Sequence, residues 1–175
     1  MRVIGGAARG RSLKAKLPAT VRPTTDFARE AIFSMLESRG GLADLVVADL
    51  YCGSGAMGIE ALSRGAAKVY FVDSDPACLA AARANLEPLG LAGEAHYVRS
   101  TLPQWSPPAD LDLVLCDPPY GPLDLDSVLQ GVRAARVVIE NDRHMDAPTG
   151  WVVTKTKRYG TTLVTMLEPS EVDER

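Results

Sequence analysis

The apolar run Leu45-Val46-Val47-Ala48 ends in Asp49 and passes into the loop Cys52-Gly53-Ser54-Gly55-Ala56-Met57-Gly58. A helical pattern, Ile59-Glu60-Ala61-Leu62, comes directly after it. Strand, glycine loop and helix in this order begin a crossover unit, and a crossover helix commits the next strand to lie parallel. The glycines have separate expected tasks. Gly53 and Gly55 let backbone approach a ligand closely, and Gly58 lets the helix settle against the sheet.

The same rhythm continues along the chain. The first strand is expected over 45–49 and its helix over 56–64, closed by Gly65. Lys68 to Asp73 is expected as the second strand. Asp75-Pro76 opens a helix that runs to about Leu89, with Gly90 after it. A third strand is expected over 94–98. A loop holding Pro103, Trp105, Pro107 and Pro108 precedes a fourth strand over 111–116. A helix near 124–134 leads to a fifth strand, Arg136 to Glu140. Strands over 151–156 and 161–167 flank Arg158-Tyr159-Gly160 as a closing hairpin. Ahead of these units, Thr24-Thr25-Asp26 offers capping oxygens to a helix over Phe27 to Glu37, ended by Gly40-Gly41. Alternation of this kind predicts an α/β fold, a doubly wound and mostly parallel seven-stranded sheet with antiparallel strands at one edge. The 175 residues suffice for a sizeable core.

Ligands of such sheets bind beyond the carboxyl ends of the strands. Asp49, Asp73 and Asp117 are all expected there. Asp73 comes about 20 residues after the glycines, the spacing of an acid that accepts hydrogen bonds from ribose hydroxyls. Asp117 opens Asp117-Pro118-Pro119-Tyr120, directly after the apolar run Leu111 to Cys116. The prolines fix φ and remove two N–H donors, and the residue before a proline is held extended. A directed carboxylate beside an aromatic face suits a planar, amine-bearing ring such as a nucleobase.

The glycine spacing G-x-G-x-x-G also fits a nicotinamide oxidoreductase. Asp49 speaks against it, because a pyrophosphate there would meet an added negative charge. The Asp-Pro-Pro-Tyr loop has no task in hydride transfer. A cationic nucleoside without phosphates fits both loops, and that cofactor is S-adenosylmethionine.

Charge is unevenly spread. Arg2, Arg9, Arg11, Lys14, Lys16 and Arg22 precede the first acid, Asp26, whereas residues from 41 onward hold 11 basic and 19 acidic side chains. A basic arm on an acidic body can bind phosphates although the net charge is −3. Residues 1–40 are therefore expected to form a basic arm and helix for RNA contact, and residues 41–175 the cofactor domain. With its sheet beginning after residue 40, the core is expected to stand without the arm. Cys52, Cys78 and Cys116 have no metal-ligand spacing and are expected as packing residues, with no metal bound. No apolar run approaches the ~20 residues that span a bilayer. The amino terminus lacks a signal-peptide pattern, so the expected setting is the cytoplasm, as a monomer.

Taken with the arm, these motifs resemble the bacterial RsmD-type methyltransferases. The resemblance is carried by Arg2-Val3-Ile4-Gly5-Gly6, Arg9-Gly10-Arg11, Arg22-Pro23-Thr24-Thr25-Asp26, Arg29-Glu30 and Glu60-Ala61-Leu62-Ser63-Arg64-Gly65, beside the glycine loop and Asp117 to Tyr120. It implies a Rossmann-like sheet and methyl transfer from S-adenosylmethionine to a guanine N2 of 16S ribosomal RNA, free or in a small-subunit assembly particle. By position, Asp49, Gly53, Gly55 and Gly58 would line the methionine end of the cofactor and Asp73 its ribose. Ser100 and Thr101 would lie by the adenine, where the family often has an acid or amide. Asp117, Pro118, Pro119 and Tyr120 would hold the target base. The tail after Leu167 has no counterpart in the family and is expected to fray. Two other readings stand beside this one: a DNA adenine-N6 methyltransferase, and a non-catalytic RNA-binding protein that keeps the fold.

Overall fold

A computed structural model describes residues 1–15, 26–119 and 121–170. Lys16, Arg22, the capping residues Thr24 and Thr25, and Tyr120 lie outside the described residues. Seven strands form one sheet: β1 (Val46–Leu50), β2 (Lys68–Asp73), β3 (Glu94–Arg99), β4 (Leu113–Cys116), β5 (Arg136–Asn141), β6 (Trp151–Tyr159) and β7 (Thr162–Pro169). Their order is β3-β2-β1-β4-β5-β7-β6. The first five are parallel; β7 runs antiparallel to both β5 and β6. The helices are α1 (Asp26–Glu37), α2 (Ala56–Ser63), α3 (Pro76–Leu86) and α4 (Leu125–Val128). No helix among the described residues is long and apolar enough to cross a membrane.

Alternation along the strands divides the core into two layers. Val47, Val69, Phe71, Leu113, Leu115, Val138, Val164 and Met166 face the layer that holds Ile32, Phe33 and Ile59 from α1 and α2. Ala48, Leu50, Val72, Val114, Cys116, Val137 and Ile139 face the layer that holds Leu125 and Val128 of α4. Strands buried on both faces read as continuous apolar runs, and this made β1 and β4 visible in the sequence.

Two elements differ from expectation. The helix expected near 124–134 stops at Val128. Asp124 caps it through the Ser127 N–H, but Gly131 takes φ +76° and ends any continuation. The apolar spacing still serves packing, since Leu129 and Val132 stay buried without being helical. The tail also behaves otherwise. Glu168 and Pro169 belong to β7, Glu168 pairs with Arg39 at 2.8 Å, and the Ser170 N–H donates to the Gly150 carbonyl.

The larger correction concerns the amino-terminal arm. Residues 1–15 form a hook, closed by an antiparallel bridge between Arg2 and Ser12, and the hook is built into the core. Val3, Ala8 and Leu13 are buried in the same cluster as Val47, Ile59 and Val69, so a cut at residue 40 would pass through one continuous core. Glu60 of α2 fastens it. This side chain is fully buried, and its carboxylate accepts from the Ile4 N–H at 2.8 Å, the Gly5 N–H at 2.7 Å and Arg64 Nε at 2.9 Å. Ser63 adds a second tie, accepting from the Ala8 N–H at 2.9 Å and donating to the Gly5 carbonyl at 2.6 Å. Arg29, also fully buried, donates to the Arg2 carbonyl and to Asp26 and so joins the hook to α1. Gly6, at φ +71°, lies so close to the Ser63 carbonyl that a Cβ would overlap it at 1.8 Å.

Glu60→Ala should therefore cost about 3–5 kcal/mol, the range for removing one partner of a buried, hydrogen-bonded charge. Denaturant unfolding checks this, and a loss under about 1 kcal/mol would mean that the hook is not held through Glu60. Removal of residues 1–15 should destabilise the sheet domain as well, because it also strips Val3 and Leu13 from the core.

Candidate active site

The crevice is built where β1, β2 and β4 end side by side. β1 passes into Tyr51, a non-glycine residue at φ +59°, and the chain then turns through Gly53 at φ +52° and Gly55 at φ +76°. The loop closes on itself by the Gly55 N–H donating to the Cys52 carbonyl at 2.7 Å, and the Cys52 N–H donates to the Val72 carbonyl of β2. Left-handed backbone at Gly55 sets the direction in which α2 departs.

Asp49 lies within β1, one residue before its end. It is 1% exposed and points to the α2 layer, where its Oδ2 accepts from the Gly58 N–H at 2.8 Å. Burial pushes its pKa well above the usual carboxylate range, and the nearby Asp117 and Asp73 push in the same direction. Asp73 ends β2 and is half-buried. Its two oxygens accept from the Gly53 N–H at 3.0 Å and the Asp75 N–H at 2.9 Å, so this acid shapes the glycine loop it faces. Asp117 is half-buried one residue past β4, and its N–H donates to the Leu50 carbonyl. Pro118 is buried and Pro119 exposed. The Ser100 N–H donates to the Asp73 carbonyl at 3.0 Å, which sets Ser100 beside that strand end; Thr101 is exposed.

Gly55 has a packing task that the sequence did not show. A Cβ there would lie 2.7 Å from Ala82 Cβ of α3 and 3.2 Å from the Phe71 ring, so this glycine makes room for protein. Gly58 performs its expected task, since a Cβ there would meet Phe71 at 2.4 Å and Val69 at 2.8 Å. The sequence reading also missed Asn85. Buried on α3, it donates to the Ser54 carbonyl of the loop at 3.0 Å and accepts from the Ala15 N–H of the hook at 2.8 Å. A lone polar residue near a helix end carries no sequence signal for such a double link.

The three thiols are buried, and burial raises the pKa of each. They pack and are poor nucleophiles. A surface groove of about 660 Å³ lies among Leu129, Gly131, Pro148 and Trp151, at the amino end of β5 and away from Asp49, Asp73 and Asp117. A groove of about 370 Å³, lined by Tyr70, Val98, Ser100 and Trp105, adjoins the carboxyl end of β3.

The donor set fits a cationic ligand. Two further carboxylates, Asp73 and Asp117, act on the buried Asp49. A sulfonium or ammonium group would relieve that crowding, whereas a pyrophosphate would add to it.

The doubly wound sheet is the fold of solved methyltransferases, among them an RNA methyltransferase from Salinibacter ruber in complex with S-adenosyl-L-homocysteine, at a TM-score of 0.65 and 20% identity. The sequence model of the family described as "Conserved hypothetical protein 95" matches residues 1–168. The "Putative rRNA methyltransferase YlbH" of Bacillus subtilis is 34% identical, over 93% of this chain and 95% of its own length. "Ribosomal RNA small subunit methyltransferase D" of Haemophilus influenzae is 30% identical, over 91% and 89%. The structure of "Putative methyltransferase yhhF" from Escherichia coli superposes with a TM-score of 0.78 at 29% identity, covering 97% of each chain. The chain belongs to this family, the RsmD-type methyltransferases.

Asp49 makes stability depend on pH. Its folded pKa lies above the ordinary 3.8, so its contribution is fully present below that value and is lost as pH rises through the folded pKa. Asp49→Asn keeps an oxygen for the Gly58 N–H and does not ionise. Denaturant unfolding over a pH series should show the variant gaining on the parent protein as pH rises above about 4. A constant difference would assign the buried charge elsewhere. Gly55→Val should cost about 1–3 kcal/mol from backbone strain alone, before the overlap with Ala82. Unfolding equal to that of the parent would show that neither the left-handed backbone nor the contact with Ala82 requires glycine at this position.

Proposed function

We propose that this protein transfers a methyl group from S-adenosylmethionine to the exocyclic N2 of a guanine in 16S ribosomal RNA. The observation that carries the reading is Asp117, held one residue past β4 by two prolines and next to the carboxylate of Asp49. Relatives named small-subunit rRNA methyltransferases supply the substrate class.

When bound, the cofactor supplies an electrophilic methyl group on a cationic sulfonium. Asp49 and the glycine loop receive its methionine end, with Gly55 and Gly58 serving by letting α2 and α3 close around that loop. Asp73 has lone pairs left for ribose hydroxyls beyond its two backbone bonds. Ser100 and Thr101 take the adenine side.

Guanine N2 is a poor nucleophile because its lone pair is delocalised into the ring. Neighbouring N1–H and N2–H donors match an acceptor-only carboxylate, so Asp117 turns the amine toward the incoming methyl group. The same carboxylate accepts the proton that N2 sheds. Pro118 and Pro119 keep this acceptor in place, and Tyr120 stacks on the flipped base. Arg2, Arg9, Arg11 and Lys14 are exposed on the hook and, with Lys16 and Arg22, meet RNA phosphates. The substrate is the RNA or a small-subunit particle in the cytoplasm, met by a single copy of the chain.

Asp117→Ala should reduce single-turnover methylation of small-subunit particles by several orders of magnitude while cofactor affinity stays near that of the parent. Tyr120→Ala should lose about 1–3 kcal/mol of base stacking. Labelled cofactor with particles from cells lacking the protein, and then mapping of the modified base, makes the measurement. Near-normal turnover of Asp117→Ala, or a label on a base other than guanine, would overturn the assignment.

A further inference from the structure

The far edge of the sheet carries a surface that the methyl-transfer chemistry does not use. β6 is the edge strand, and residues 152–158 are exposed along its length. Register fixes which end of it is which. Asn141 at the end of β5 pairs with Leu163, and Tyr159 at the end of β6 pairs with Thr162. The β6–β7 turn therefore stands at the same end of the sheet as Asp117. The start of α1 is there too, because Phe27 meets Tyr159 edge to face at 5.7 Å.

Three observations bear on the ligand of this edge. Phe27 is 64% exposed, a large aromatic ring left in solvent at a helix start. Lys155, Lys157 and Tyr159 alternate onto one face of β6, and Lys157 Nζ sits 5.3 Å from the centre of the Tyr159 ring. Between residues 147 and 167 there are three cations, Lys155, Lys157 and Arg158, and no acid, on a body that from residue 41 onward has 11 basic and 19 acidic side chains. Asp26, beside Phe27, is held by Arg29 at 2.8 Å, and Glu30 is the other exposed acid at the start of α1. Edge lysines alone guard a strand against pairing with another chain. An exposed aromatic ring at the end of that strand, Phe27 against Tyr159, works against that purpose, and cations beside aromatics are the chemistry of a nucleic-acid surface.

We propose that the first turn of α1 and the β6–β7 hairpin form a docking ridge for ribosomal RNA that flanks the target nucleotide, with Phe27 stacking on a base and Lys155 and Lys157 contacting phosphates. The ridge lies three strands from β4, about 14 Å at the usual strand spacing. That is about four nucleotides of one stacked strand at roughly 3.4 Å each, so RNA held there reaches Asp117. The ridge rests on the RNA methyltransferase reading of the crevice.

The test uses the full-length protein, a 16S ribosomal RNA fragment and small-subunit particles from cells lacking the protein. Cofactor affinity of each variant serves as the control for folding. Phe27→Ala should weaken RNA binding roughly tenfold, within the range of one lost base stack. The pair Lys155→Glu and Lys157→Glu should flatten the dependence of log affinity on log salt by about 1.4–1.8, two phosphate contacts' worth. Unchanged affinity and slope in variants of a protein that otherwise binds and methylates RNA would overturn the ridge and leave the methyltransferase reading intact. A parent protein that neither binds nor methylates RNA would overturn both. Unchanged affinity for free RNA with reduced methylation of particles would remove RNA from the ridge and give it to a protein of the particle.

Discussion

The hydrogen bond from the Gly58 amide to the buried Asp49 carboxylate couples the sheet to the loop from which the crevice is made. A carboxylate removed from water is costly, and this one also has Asp73 and Asp117 as neighbours. It is held there because α2 comes close enough for its own backbone to donate. That approach depends on Gly58, where any side chain would overlap Phe71 and Val69 of β2. The buried Asp49, the close packing of α2 on the sheet and the course of the glycine loop are thus one constraint.

The buried Glu60 plays a related part at the other side of α2. Its carboxylate satisfies two amides of the hook, and Arg64 completes it. The basic amino-terminal segment is consequently both a structural layer and an outward-facing set of cations: Val3, Ala8 and Leu13 are buried while Arg2, Arg9, Arg11 and Lys14 remain exposed. Asn85 extends this connection to the glycine loop, touching Ala15 on one side and Ser54 on the other. The hook and the loop therefore share a contact, although 39 residues separate Ala15 from Ser54 in the chain.

Much of the fold was legible because parallel strands bury both faces and announce themselves as apolar runs. The runs at 45–48 and 111–116, with the glycines and acids after them, located β1, β4 and the crevice between them. The helix expected near 124–134 was misjudged for a physical reason: its apolar spacing is used, but Gly131 adopts a left-handed φ that periodicity cannot reveal. Arg29 and Glu60 belong to stretches that carried the family resemblance. Both are charged side chains buried as fasteners, and charge in a sequence ordinarily signals the surface. Gly55 was legible as a glycine position, while its neighbour Ala82 was not.

The sequence by itself determined the features set by short-range chemistry: the strand–loop–helix units, the parallel order they impose, and the acids at the strand ends. These depend on residues within a turn or two of one another. Tertiary structure alone decided the meeting of Glu60 with Ile4 and Gly5, the double link through Asn85 and the meeting of Phe27 with Tyr159. Each joins groups at least 31 residues apart, across loops whose closure entropy hardly distinguishes one long separation from another. The choice among them turns on which buried donors and acceptors would otherwise go unpaired, and that becomes a definite question only once the sheet has brought the elements together.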